Sequence, residues 1–227
     1  MIPKVIYLCH GELNSLRKSY EHNSLMNPEY KIELYDDTRC KDFLLNEFSK
    51  LHCDIFDFLK DGPIKCDFWR LCVLYKYGGV YIDADIELLT SLNSFLESDI
   101  ELCVPQFDRK DWNEGPLKYI FSHDSLYTKK IKDDDAIYNP QFIASLSDNI
   151  IIEKCIDEYL NLYNNKIPYN KNYYSIVQIF TYVMSTNTIP KKYQFIINKF
   201  GDEDIFEDEH CLYKNKRVLN NRTLLVK

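Results

Sequence analysis

The chain has 227 residues, 45% hydrophobic and 28% charged, enough apolar surface for one packed domain and too little charge excess for a disordered chain. With 28 Lys+Arg against 35 Asp+Glu the formal net charge is -7, which repels nucleic acid and anionic membrane unless basic residues cluster, and no such cluster is present. The eight cysteines include no Cys-x-x-Cys pair, which argues against a zinc ribbon or dithiol redox motif. No run approaches 18 apolar residues and the opening is too short for a signal sequence, so the expectation is a cytoplasmic protein with reduced thiols and no transmembrane segment.

In chain order, Val5 to Leu8 is a β-branched and aromatic run that suits a buried first strand. A helical pattern covers Leu13 to Met26 and stops before Asn27-Pro28. Tyr30 to Tyr35 alternates apolar with charged residues as a second strand. Strand, helix, strand in this order predicts a sheet that begins parallel, with ligands at the carboxyl ends of its strands. Two helices follow, Thr38 to Phe48 and Ser49 to Leu59, closed by Asp61-Gly62-Pro63. Lys65 to Tyr77 is the next helix, with Gly78-Gly79 as its stop. Val80 to Ile82 is then a short buried strand that delivers Asp83-Ala84-Asp85 to its end.

Downstream, Glu101 to Pro105 is strand-like, and Phe107 to Asp135 is a long polar stretch read as a functional loop region. The acidic run Asp133 to Asp135 is a solvated face. Ile137 to Ala144 is apolar. A helix begins at Ser147 with Ile151, Cys155, Tyr159 and Leu162 inward, and another covers Tyr173 to Met184. Tyr193 to Ile197 and Thr223 to Val226 are the last strand candidates.

Asp83 and Asp85 are the candidates to carry the chemistry, the alternative for an Asp-x-Asp by itself being a solvated turn. Two residues apart in an extended chain, both carboxylates face one side. Their repulsion is relieved by a hard divalent cation, which prefers carboxylate oxygens and completes its shell with substrate phosphates. The helix before them carries Asp67 and Arg70 on one face at i, i+3, either as part of the same constellation or as a surface ion pair.

These residues resemble a known family. Lys65-Cys-Asp-Phe-Trp-Arg70 and Leu74-Tyr-Lys-Tyr-Gly-Gly-Val-Tyr-Ile-Asp-Ala-Asp85 are similar to the Asp-x-x-Arg and Gly-Gly-x-Tyr-x-Asp-x-Asp signature of glycosyltransferase family 32, shared by the large clostridial glucosylating toxins. The opening Ile2 to Ile6, the stretch Asn27 to Tyr30, and Asn139-x-x-Phe-Ile-Ala144 look similar as well.

The resemblance implies an α/β fold of GT-A (Rossmann-like) type, a mixed central sheet flanked by helices, in a single domain over 1–227 with a nucleotide-sugar half (1–105) and an acceptor half (106–227). It implies a nucleotide diphosphate-sugar donor, a glycan or glycoconjugate acceptor as in polysaccharide biosynthesis, Mn²⁺ or Mg²⁺ as cofactor, and retention of the anomeric configuration. Asp85 would ligate the metal, Asp83 the metal or ribose, and Asp67 with Arg70 the donor sugar and phosphate. Relatives often have an aromatic residue after the first strand; this chain has Leu8-Cys9-His10, so Tyr7 or His10 is the candidate for the base, although a first-strand tyrosine is more often core. His210 is the candidate for a further metal ligand from the C-terminal part, the alternative being an exposed histidine. Asn139 either reaches a sugar or starts an ordinary turn.

Two other classes compete. Tyr81 to Asp85 fits the opening of haloacid-dehalogenase-like phosphatases, with Asp83 as nucleophile, although Glu87 stands where that family has Thr or Val. A non-catalytic nucleotide-sugar-binding module is the other.

Overall fold

The computed structural model describes residues 1–107, 126–127, 130–131, 136–187, 192–199 and 210–220. Its strands are β1 (Val5–Cys9), β2 (Lys31–Tyr35), β3 (Gly79–Ile82), β4 (Glu87–Leu88), β5 (Leu102–Phe107), β6 (Phe142–Ser145), β7 (Tyr193–Lys199), β8 (His210–Tyr213) and β9 (Lys216–Asn220). The helices are α1 (Arg17–Met26), α2 (Asp37–Glu47), α3 (Lys50–Phe58), α4 (Gly62–Tyr77), α5 (Ile150–Asn164) and α6 (Ile176–Thr186).

The nine strands of the described residues form one mixed sheet, in the order β2-β1-β3-β6-β5-β7-β8-β9-β4. It begins parallel, β1 pairing with both β2 and β3, and turns antiparallel at β6. The sheet must curl. From β3 to β4 the ladder takes six steps, about 29 Å across a flat sheet, yet the five Cα-to-Cα steps from Ile82 to Glu87 reach at most about 18 Å. The turn carrying Asp83 and Asp85 is therefore the short chord that closes a bent sheet, and β4 docks antiparallel on β9 beneath it.

Strand alternation divides the core into two faces. Ile6, Leu8, Val80 and Ile82 face one apolar layer with Leu92, Phe95 and Ile196, while Tyr7, Cys9 and Tyr81 face the other with α4, α5 and α6. Helix α4 is buried continuously from Cys66 to Leu74, which is why its sequence shows little amphipathic contrast.

The helix-strand junction depends on two glycines. Gly78 has φ +64° and a Cβ there would lie 2.7 Å from the Ser147 nitrogen; Gly79 has φ +108° and its Cβ would lie 2.9 Å from both Tyr7 Cε2 and the Val5 carbonyl oxygen. Only glycine combines that backbone with that proximity.

Several elements differ from the sequence expectation. Asp61-Gly62-Pro63 opens α4, because proline in the first turn lacks only an N–H that has no helical partner there. The helix expected from Leu13 is a 3-10 turn over Leu13–Leu16 before α1. The last two helices start later than expected, α5 being capped by the Asn149 side chain, which accepts from the Ile151 and Ile152 N–H groups. The hairpin β8–β9 was not expected; it turns through Lys214 and Asn215, both at positive φ. Most of 107–135, including the acidic run at 133–135, and the strand proposed at 223–226 lie outside the described residues.

Candidate functional site

The register Tyr7↔Tyr81 between β1 and β3, continued by two residues, sets Cys9 level with Asp83 at the carboxyl ends of parallel strands. Alternation turns Tyr81 and Asp83 toward α4, whose N-terminal half lies across the strand ends. Between them is a cavity of about 340 Å³ lined by Cys9, His10, Gly11, Gly62, Pro63, Cys66, Asp67, Arg70, Tyr81, Asp83, Ala84 and Asp85.

Arg70 organises the site. Its Nη2 donates to Asp67 Oδ1 and to Asp83 Oδ1, both at 2.8 Å, and its Nη1 donates to the Pro140 carbonyl at 2.6 Å. The guanidinium lies over the Tyr81 ring, 4.1 Å from the centroid, and the Tyr81 hydroxyl donates to Asp83 Oδ1 at 2.8 Å. Arg70 is 4% exposed, so the surface ion pair weighed as an alternative does not occur. Its donors point mostly into the protein, which makes it first a clamp on two carboxylates.

Asp83 is fixed a third way: its N–H donates to the Gln141 carbonyl at 2.9 Å. Asp85 has no hydrogen-bond or ion-pair partner among the described residues, and its half-buried side chain borders the cavity. One member of the pair is locked and the other is free to take a ligand.

Burial pushes both acids on Arg70 up. Asp67 is raised to about 7, Arg70 opposing this and Asp83 adding to it. Asp83 is raised as well, burial again outweighing Arg70, with Asp85 contributing repulsion. A single cation shared between two carboxylates under a low-dielectric helix leaves negative charge to be neutralised by something else.

The structure brings Asp67, Arg70, Asp83, Asp85 and His10 to one cavity. The His10 ring accepts at Nδ1 from the Glu12 N–H. Tyr7 is turned into the core, 3% exposed, against Trp69 and Tyr35, away from the cavity. Asn139 lies one residue before the carbonyl that holds Arg70, its own N–H donating to Pro105. His210 begins β8, where the backbone register runs His210↔Asn220 and Glu87↔Asn220, two strands from the chain just after Asp85. Tyr81 was missed, although its place two residues before Asp83 implies a shared face. The carbonyls of Pro140 and Gln141 gave no sequence signal, because every residue has one.

Residues 14–101 match the family model described as a glycosyltransferase sugar-binding region containing a DXD motif. That stretch is similar to a DXD glycosyltransferase sugar-binding region.

An uncharacterized glycosyltransferase of Acanthamoeba polyphaga mimivirus is 34% identical over 101 residues, which is 42% of this chain and 40% of that protein. The match to this curated relative therefore spans well under half of its length. Among solved structures, the PaToxG glycosyltransferase superposes with a TM-score of 0.54 at 16% identity, over 81% of this chain and 69% of that one, and shares its GT-A-type fold. The galactosyltransferase LgtC, solved with donor and acceptor sugar analogs, gives a TM-score of 0.47 at 12% identity over 84% of this chain and 72% of that one. The DXD pair of the matched region is Asp83 and Asp85.

The donor set fits a hard divalent cation: carboxylate oxygens, one of them unpartnered, beside a cavity. Among the described residues no group of three His, Cys, Asp or Glu side chains forms a complete metal cluster, so a cation here would draw its remaining ligands from elsewhere. No helix of the described residues is long and apolar enough to cross a membrane.

Proposed function

We propose that this chain is a metal-dependent glycosyltransferase that moves a sugar from a nucleotide diphosphate-sugar to a hydroxyl of a glycan or glycoconjugate, with retention at the anomeric carbon. The observation that carries the reading is the free Asp85 carboxylate beside the locked Asp83 in a cavity at the carboxyl ends of β1 and β3. In this reading residues 1–105 bind the donor and 106–227 form the acceptor side of one domain.

Asp85 and Asp83 would hold Mn²⁺ or Mg²⁺, which when bound supplies charge stabilisation to the departing diphosphate without a proton donor. Asp83 Oδ1 is spent on Arg70 and Tyr81, so its Oδ2 is the atom left for a ligand. Arg70 holds Asp83 and Asp67 at fixed separation. Asp67, beside Arg70 on the cavity wall, is placed to accept from donor-sugar hydroxyls, and His10 borders the same cavity for the nucleotide. Asn139 and His210 stay as candidates for the sugar and a further metal ligand. A reducing, cytoplasmic location belongs to the same reading.

The phosphatase reading, with Asp83 as nucleophile, is disfavoured because one of its oxygens already accepts from Arg70 and Tyr81. The deciding measurement is thermal unfolding with nucleotide diphosphate-sugars. A donor should raise Tm only with Mn²⁺ or Mg²⁺ present, and Asp85→Ala should abolish the rise. Stabilisation independent of metal would overturn the assignment. The anomeric configuration of the product, read by NMR, tests retention.

A further inference from the structure

We propose that Cys9 and Cys66 form an oxidisable dithiol in the wall of the Asp83–Asp85 cavity, a covalent modification site for a small two-electron oxidant of the peroxide class.

Their Sγ atoms are 2.8 Å apart, and a disulfide bond is about 2.0 Å, so less than about 1 Å of combined movement joins them. Both thiols are free and buried, yet both border the cavity. Cys9 borders it because it faces α4 at the carboxyl end of β1, one pleat beyond Tyr7; Cys66 does so because it lies one helical turn before Arg70. The thiol of Cys40 lies farther from Cys9, at 3.6 Å, and does not line the cavity. An oxidant small enough to enter thus meets Cys9 and Cys66 as neighbours. The remaining cysteines differ from this pair: Cys53 is the more exposed but has no sulfur partner, Cys72, Cys103 and Cys155 are sealed in the core, and Cys211 is buried with its thiol donating to Asn198 Oδ1.

The chemistry balances with hydrogen peroxide alone. One thiolate attacks a peroxide oxygen, the O–O bond breaks, and water and a sulfenic acid result. The second thiol attacks the sulfenic sulfur, the S–S bond forms and a second water leaves. Two sulfurs are oxidised and one peroxide is reduced; both thiol hydrogens end in water. The contact with Cys40 and then burial push the Cys9 thiol up against the opposing contact with Cys66, while the contact with Cys9 and burial push Cys66 up; Arg70 opposes both shifts, so the reaction is slow and proximity selects the pair. The product ties the end of β1 to α4 next to Asp67 and one turn before Arg70.

The cross-link rests on geometry alone; the claim that the oxidant enters through the donor cavity rests also on the reading above. The full chain carrying Cys53→Ser is treated with hydrogen peroxide, trapped with a maleimide and peptide-mapped without reduction. Expected is a Cys9–Cys66 cross-linked peptide that dithiothreitol cleaves and that still forms when Cys40→Ala is added. Separately trapped Cys9 and Cys66, or a Cys9–Cys40 cross-link, overturns the proposal. Manganese with a nucleoside diphosphate should slow the cross-link several-fold. A cross-link that forms at an unchanged rate upholds the dithiol and counts against the donor cavity.

Discussion

Arg70 Nη2 and Asp83 Oδ1 meet at 2.8 Å, joining a central helix to the turn that closes the sheet. The same nitrogen holds Asp67 at the same distance, so the two halves of the sequence signature are one physical unit. Between the buried Asp67 and the half-buried Asp83 carboxylates, the guanidinium is the group whose loss costs most.

Arg70→Ala leaves two acids in a buried site without their cation, and the expected loss is about 3–5 kcal/mol of unfolding free energy. Arg70→Lys should recover little, since an ammonium cannot reach both carboxylates and the Pro140 carbonyl while stacking on Tyr81. Urea unfolding of the three proteins checks this. A loss under about 1 kcal/mol for alanine would place the clamp among surface pairs.

Tyr81→Phe keeps the ring under Arg70 and removes the hydroxyl that donates to Asp83. A small stability loss of about 1 kcal/mol is expected, with a larger effect on cation affinity, because Asp83 loses one of its three fixings. Isothermal titration with Mn²⁺ against the parent reads the second effect; equal affinities would show that Arg70 and the Gln141 carbonyl suffice.

Gly79→Ala should destabilise by about 1–3 kcal/mol from backbone strain and by more from the contact of the new methyl group with Tyr7 and Val5. Leu13→Ala, in the 3-10 turn before α1, is a comparison at a half-buried position. Thermal unfolding that ranks Gly79→Ala as the milder change would contradict the tight junction between α4 and β3.

The pH dependence of stability follows from Asp67. Its ordinary carboxyl titrates near 4, and burial lifts it to about 7 in the fold. Between those values the folded protein keeps a proton that the unfolded chain has released. Its contribution is therefore complete below the unfolded value and falls as pH rises toward the folded one. Unfolding free energies measured between about pH 5 and pH 8 should decline in the parent and decline less in Asp67→Asn. Equal slopes would mean that Asp67 is ionised throughout.

Much of the site was legible before any coordinates. The alternation of Val5 to Leu8, the Gly78-Gly79 stop and the spacing of Asp83 and Asp85 are local properties, fixed by backbone period and sterics within a few residues. They placed the parallel start of the sheet and the acidic pair at a strand end. What local pattern does not contain is which distant groups converge. The Asp61-Gly62-Pro63 segment begins a helix rather than ending one because its neighbours bury α4. Tyr7 belongs to the core because Trp69 and Tyr35 close over it. The locking of Asp83 with Asp85 left free, and the meeting of Cys9 with Cys66, arise from the curl of a nine-stranded sheet and from carbonyls at Pro140 and Gln141. Residue types and their spacing determined the chemistry on offer; the packing of segments remote in sequence decided which of those groups are held and which can act.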